Sequence, residues 1–330
     1  DSNMVFNSHH CAKPMPLLSI TSVETKKFCA NLPLKSGDIF ICSYPKSGTT
    51  WTQHIVISLL IMHKNLESAR SNSKFLSLDY HHVSDYAPFY DIDDHWDSER
   101  KNLIPSIQNN HEKLGRRIFN THLRWDMLPT SKHNEDFSER PKYIYLVRNP
   151  LDACVSFYSH LSHQVEGCYE NSLEFFFQEW LEGRLPYGSW MDHVLSYLPA
   201  VSSKSQANAN DIIFIHYEDM VNNLSLVLNR LVRFLGLDDL ITPTHEEELL
   251  PSFFFQNMKK ELKKFQPKSV TWKNDFTFLR KGKVGNSREH LSDSQTKIFT
   301  EVIESSHFKN YVSNLLDDSD PSKKSILSYF

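Results

Sequence analysis

Apolar residues in this chain fall into two kinds of run, and their alternation sets the fold class. Residues 38–43 (Asp38-Ile39-Phe40-Ile41-Cys42-Ser43), 142–147 and 212–215 are short, nearly continuous apolar segments of the kind that form buried strands. Residues 117–123 read as a further short strand ending at a histidine, His122. Longer segments carry helical spacing: 54–62 after the first strand, 151–161 after the 142–147 strand with Pro150 suited to a first turn, and Leu224, Val227, Leu228, Leu231, Val232 and Leu235, stopped by Gly236. No Gly/Ser-rich or Pro-rich linker divides the chain, and no repeat is visible. The pattern predicts a single α/β domain with a central, mostly parallel sheet and helices on both faces.

Between the first strand and the first of these helices lie Tyr44-Pro45-Lys46-Ser47-Gly48-Thr49-Thr50-Trp51. A small-residue loop feeding a helix turns backbone N–H groups toward one point, where the helix dipole also favours negative charge. Lys46 adds a mobile cation, Thr49 and Thr50 add hydroxyl donors, and Trp51 adds an aromatic face. The predicted guest is a phosphate or sulfate. The order is not that of a Walker A loop, because the Lys precedes the Gly.

The segment resembles the 5′-phosphosulfate loop of the cytosolic sulfotransferases, which use 3′-phosphoadenosine 5′-phosphosulfate (PAPS) as donor. Further segments resemble the same family. Arg148-Asn149-Pro150-Leu151-Asp152-Ala153-Cys154-Val155-Ser156-Phe157-Tyr158 matches "RNPxDxxxSxY", whose Arg and Ser bind the donor's 3′-phosphate. Arg280-Lys281-Gly282-Lys283-Val284-Gly285 is similar to the "RKGxxG" loop that closes over that phosphate. Asn120-Thr121-His122-Leu123 sits where the family carries "KTHLP", which implies His122 as the general base. His216-Tyr217-Glu218-Asp219-Met220 and Phe253-Phe254-Phe255-Gln256-Asn257-Met258-Lys259-Lys260 resemble "YEDM" and "TSFKEMKK", implying Tyr217, Phe255 and Met258 at the adenine end. Three consecutive Phe leave the choice among Phe253, Phe254 and Phe255 open. Residues 183–190 resemble the "GxxPYGSW" turn into a helix.

The chain also departs from the family. The Lys two residues before the base is Asn120, the Pro after it is Arg124, which offers itself as a replacement cation, and Asn286-Ser287-Arg288 stand where Asp-Trp-Lys is usual. The positions of the family's "KxxxTVxxxE" dimer segment hold Arg288, Ser292, Asp293 and Lys297, so that motif is not retained and a monomer or a differently built homodimer is expected.

Composition then narrows the class. With 36 basic and 40 acidic residues the net charge is 36 − 40 = −4, which argues against bulk nucleic-acid binding. Local basic clusters at Lys259-Lys260, Lys263-Lys264 and 280–283 remain available to one polyanion. Five cysteines, Cys11, Cys29, Cys42, Cys154 and Cys168, lack metal-ligand spacing and fit a reduced cytoplasm. The longest apolar run, 55–62, is too short for a bilayer, which takes ~20 residues, and no signal-peptide pattern opens the chain. Asn223-Leu224-Ser225 is formally a glycosylation sequon in a helix-like stretch.

The expected organisation is an N-terminal extension over 1–35, a sulfotransferase domain over 36–305 and a tail over 306–330. Within the domain, 64–116 reads as acceptor-side loops whose Tyr80, His81, His82, Tyr86, Phe89, Tyr90 and Trp96 either line an acceptor pocket or pin the loop down. The resemblance implies a PAPS-dependent sulfotransferase that needs no metal and acts on a hydroxyl or amine of a small molecule such as a phenol, steroid or alcohol. His122 and Lys46 are the catalytic candidates. Lys46, Ser47, Gly48, Thr49, Thr50, Trp51, Arg148, Ser156, Tyr217, Phe255, Met258, Arg280, Lys281 and Gly282 are the donor-binding candidates. Rival readings are a nucleotide-binding pseudoenzyme or small-molecule carrier, supported by Asn120, and a P-loop-like kinase, opposed by the 3′-phosphate residues.

Overall fold

The computed structural model describes residues 15–71, 74–129, 140–198, 211–240, 242–273, 276–306 and 308–309. Cys11 and nearly all of the expected 306–330 tail lie outside them. Four parallel strands, β1 (Ile39–Ser43), β2 (Ile118–Thr121), β3 (Lys142–Val147) and β4 (Ile212–His216), form one sheet in the order β2-β1-β3-β4. They read as apolar runs because both faces are covered. Ile39 and Ile41 join Ile118, Ile144, Leu146 and Ile215 in one core. Phe40 and Cys42 join Phe119, Tyr143, Tyr145 and Phe214 in the other. On that second face Phe40 stacks between Phe119 and Tyr143, with ring centroids 5.1 and 5.2 Å apart.

The helices are α1 (Val23–Cys29), α2 (Thr49–Ser71), α3 (Pro105–Leu114), α4 (Pro150–Ser162), α5 (Leu173–Leu181), α6 (Trp190–Tyr197), α7 (Tyr217–Asn222), α8 (Leu224–Phe234), α9 (Pro243–Phe253), α10 (Phe255–Lys260), α11 (Leu262–Phe265) and α12 (Asp293–Ser305). Residues of α2, α8 and α9 cover the isoleucine face, and residues of α4, α5, α6 and α12 cover the aromatic face. Residues 15–35 are tied in as well: Met15, Leu18, Cys29 and Leu32 are buried in the aromatic-face core. Asn223 caps α8 by accepting from the Leu226 amide.

The 64–116 stretch is less loop-like than its polarity suggests. Residues 64–71 continue α2, and α3 occupies Pro105–Leu114, ended by Gly115 at φ +73°. The 64–71 end of α2 holds no fully buried residue and α3 buries only Ile107, His111 and Leu114, so the apolar period here is short. Most of the aromatics here hold the segment down: Tyr90 and Trp96 are buried, and Tyr80 hydrogen-bonds His54 at 2.6 Å.

Strand order reverses at β1, and in open α/β sheets the crevice beyond the carboxyl ends of the strands at such a point binds ligand. Each strand delivers a candidate residue there: β1 leads into Lys46, β2 into His122, β3 into Arg148 and β4 into Tyr217.

Candidate functional site

The loop after β1 is held in a shape that few sequences tolerate. Lys46 has φ +67° and Gly48 φ +103°, and a Cβ at Gly48 would come within 3.0 Å of the Tyr217 ring. Thr49 opens α2 immediately afterwards, so the positive end of a 23-residue helix borders the cavity. The Ser47 hydroxyl is buried without a partner, as is the Trp51 indole N–H. Unpaired buried donors around a helix start are what an anion would satisfy.

Lys46 reaches into the cavity with its ammonium 3.2 Å from Nδ1 of His160 and 4.3 Å from the centre of the Phe278 ring. Burial, and secondarily the charges of Arg148 and Arg280, pull its pKa down to about 7.

His122 sits just past β2. Its Nδ1 lies 2.9 Å from the Ser43 carbonyl, an acceptor only, so Nδ1 carries the proton and Nε2 keeps the lone pair. The backbone carbonyl of His122 accepts from Nε2 of His193 at 2.9 Å, and the ring packs against Phe89 and Tyr187. Burial, with the nearby Lys46 charge adding to it, lowers the imidazole pKa to about 4. The ring is therefore neutral and able to take a proton at ordinary pH.

A second basic corner lies at the start of α4. Arg148 donates to the Lys46 carbonyl at 2.8 Å, lies 4.3 Å over the Tyr217 ring, and keeps a buried Nε with no partner. Ser156, two turns along α4, lines the same cavity. Arg280 reaches α4 through Ser159 at 2.8 Å, and its pKa is lowered by burial and by Arg148. Asp152 draws the 280–285 loop onto the helix: its two carboxylate oxygens accept from the amides of Gly285 and Ser287, both at 2.7 Å. Arg280, Lys281, Gly282 and Lys283 thereby face the cavity, with Lys281 also paired to Glu289.

The three phenylalanines separate in space. Phe253 is fully buried against His54, Phe254 points to solvent, and Phe255 lines the cavity with Met258. Gly282, at φ +60°, lies flush on Phe255, since a Cβ there would fall 2.4 Å from the ring. Gly282→Ala is therefore expected to displace Phe255 or the loop at a strain of ~1–3 kcal/mol. Titration calorimetry should show 3′,5′-adenosine bisphosphate binding weakened about tenfold or more, and an unchanged affinity would detach Gly282 from the nucleotide.

All fifteen sequence-derived candidates border this one cavity except Ser47, which is buried with its hydroxyl unpaired. Two ideas fail. Arg124 does not replace a lost cation, because it is paired with Asp126 at 2.9 Å and is absent from the cavity wall. Asn120 lies within β2 opposite Ile41, buried with an unpartnered amide, and adds nothing to the wall. Of the basic clusters only 280–283 reaches the cavity; Lys264 instead covers the Tyr80 ring at 4.1 Å. The sequence reading missed Leu18, Ile20, His160, Gln164, Tyr187 and Phe278, which also line it. His160 and Gln164 follow Ser156 at intervals of four, the spacing that marks one helix face.

Among the described residues no group of three or more His, Cys, Asp or Glu is placed to hold a metal ion, and no helix is long and apolar enough to cross a membrane. Residues 36–315 match the sulfotransferase domain family. Sulfotransferase 1E1 of Rattus norvegicus is 28% identical over 272 residues, covering 81% of this chain and 82% of its own length. Sulfotransferase 2A6 of the same organism is 26% identical over 294 residues, covering 88% and 92%. Mouse sulfotransferase SULT7A1, solved in complex with PAP, shares the fold at a TM-score of 0.65 and 24% identity, with 95% of each chain covered. The chain thus belongs to the sulfotransferase family, the enzymes that pass a sulfuryl group from PAPS to small-molecule acceptors.

Proposed function

We propose that His122 and Lys46 carry out transfer of the sulfuryl group to an acceptor hydroxyl, and that the remaining cavity residues select and hold the donor. The observation that carries this reading is the common cavity in which a neutral imidazole with a free Nε2, a buried lysine and two arginines meet at the start of α2. PAPS supplies the activated sulfuryl group. His122 Nε2 accepts the proton of the acceptor hydroxyl as its oxygen bonds to sulfur. Lys46 neutralises the oxygen that leaves with the 5′-phosphate, with the α2 amides beside it. Arg148, Ser156, Arg280, Lys281 and the backbone at Gly282 fit a 3′-phosphate, and Trp51, Tyr217, Phe255 and Met258 fit the adenosine.

The pseudoenzyme reading rests on Asn120, which stands where the family carries Lys. Mass-spectrometric turnover of PAPS against phenols, steroids, alcohols and amines tests the proposal: a sulfated product is expected, and tight nucleotide binding with no product from any acceptor would overturn it. Arg148→Ala or Arg280→Ala is expected to erase the preference for 3′,5′-adenosine bisphosphate over adenosine 5′-diphosphate by about ten- to a hundredfold, the worth of a charged hydrogen bond. Competition binding measures this, and an intact preference would move the 3′-phosphate elsewhere.

Action in the cytoplasm is part of the proposal, supported by the thiols of Cys29, Cys42, Cys154 and Cys168, which form no disulfide among the described residues. A monomer, or a homodimer without the usual C-terminal motif, completes it, and light scattering decides between them.

A further inference from the structure

The β2 ladder ends at Thr121, one residue before the candidate base. From there the main chain is held by side chains. The His122 carbonyl accepts from Nε2 of His193 at 2.9 Å, and the Leu123 carbonyl accepts from the Tyr197 hydroxyl at 2.7 Å. The Leu123 amide donates to the Thr121 hydroxyl at 3.1 Å, which in turn donates to the Asp91 carboxylate at 2.8 Å. Asp91, His193 and Tyr197 are each 0% exposed, and none of them borders the cavity. Burying polar groups costs desolvation that apolar residues would avoid, so their gathering around one short stretch of backbone calls for a reason.

His193 is the most tightly specified of these groups. Trp190, His193, Val194 and Tyr197 fall at helical spacing on the buried face of α6. A carbonyl can only accept, so Nε2 of His193 carries the proton, and the Tyr145 hydroxyl, 2.9 Å from Nδ1, donates to the other nitrogen. Burial lowers the pKa of the ring to about 3, so it stays neutral at ordinary pH and keeps this tautomer. Tyr145 and Tyr197 stack on the ring, with centroids 5.8 and 5.5 Å away. The ring of His122 is itself tied to β1 through Nδ1 and the Ser43 carbonyl. With its backbone anchored on α6 and its ring on β1, the direction of Nε2 is set.

Resting on the sulfotransferase reading, we propose that His193 is a positioning residue for the reaction: its bond to the His122 carbonyl, ordered by Tyr145, aims Nε2 of the base at the acceptor hydroxyl. It touches neither donor nor acceptor, so it acts on rate through His122 and leaves binding alone. A displacement of about 1 Å at a reacting group can cost a hundredfold in rate.

His193→Leu keeps a similar volume and removes the donor. It is expected to lower kcat about tenfold to a hundredfold, with acceptor KM and the affinity for 3′,5′-adenosine bisphosphate within about twofold of the wild type. His193→Gln is expected to recover most of that rate, because its amide nitrogen can donate where the imidazole Nε2 does. The deciding measurement is the same substitution in His122→Ala. A residue that works through the base has nothing left to lose there, so kcat should fall no further. An equal fall in both backgrounds would overturn the proposal, as would an unchanged kcat in His193→Leu. If that variant does not fold, Tyr145→Phe, which keeps the ring and removes the hydroxyl that orders His193, enters the same cycle under the same criteria. Heteronuclear NMR of histidine-labelled, nucleotide-loaded protein reads the link without turnover: the Nδ1-bound proton of His122 is expected to exchange faster with water in the variant, and an unchanged ring signal would overturn the proposal. A wild type that sulfates no acceptor would refute the sulfotransferase reading, and the ring signal would then decide alone whether His193 holds His122.

Discussion

His122→Ala is expected to lower kcat by about a hundred- to ten-thousandfold, the worth of a positioned general base, while leaving the affinity for 3′,5′-adenosine bisphosphate nearly unchanged. The separation follows from where the groups sit. His122 stands past the end of β2, packed between Phe89 and Tyr187, whereas the anion-binding groups come from the β1–α2 loop, α4 and the 280–285 loop. Its Nδ1 is committed to the Ser43 carbonyl, so removal of the ring takes away the one nitrogen that can accept the acceptor's proton. The pH dependence has a definite sign. Burial lowers the imidazole pKa to about 4, so the base is ready at neutral pH, and kcat/KM should fall only as pH drops through about 4, well below the ordinary histidine range. Initial-rate measurements with PAPS in excess, alongside calorimetry of nucleotide binding, make the test. Turnover within a few fold of the wild type would remove His122 from the chemistry.

The basic half of the cavity was legible in the sequence because its tight loops constrain residue type and order. Lys46 and Gly48 occupy left-handed backbone positions, and Gly282 lies too close to Phe255 for any side chain. The strands were legible because burial on both faces leaves continuous apolar runs. What stayed hidden depends on orientation and distant partners. Three phenylalanines in a row are equivalent as a sequence, and only the turn between α9 and α10 sends Phe253 inward, Phe254 outward and Phe255 to the cavity. Asp152 was visible as a motif position, but its grip on the amides of Gly285 and Ser287 spans more than 130 residues of chain. Asn120 stands where the family carries Lys, and Arg124, two residues past His122, looked like a displaced cation. Asn120 packs within β2 opposite Ile41 whereas His122 lies past the strand's end, and Arg124 is held by Asp126.

Lys46→Met is expected to cost about a hundred- to a thousandfold in kcat, comparable to losing one preorganised donor at a developing charge, and to change the alkaline side of the pH profile. Burial, then repulsion from Arg148 and Arg280, brings the free-enzyme pKa of Lys46 to about 7. Below that pH the ammonium is charged and attracts the donor; above it the neutral amine does not. Affinity of the free enzyme for PAPS, and with it kcat/KM, should therefore decline as pH rises through about 7. Bound phosphosulfate favours the charged form, so kcat at saturating donor should hold to higher pH. Lys46→Arg separates charge from shape, because a guanidinium keeps its proton above pH 12. Its alkaline decline in kcat/KM should disappear even if its planar fork fits the site less well and the plateau rate drops. In Lys46→Met the decline should also vanish, but at the reduced rate throughout. An alkaline limb that persists unshifted in both variants would assign that ionisation to another group and leave Lys46 with no part in holding the donor's charge.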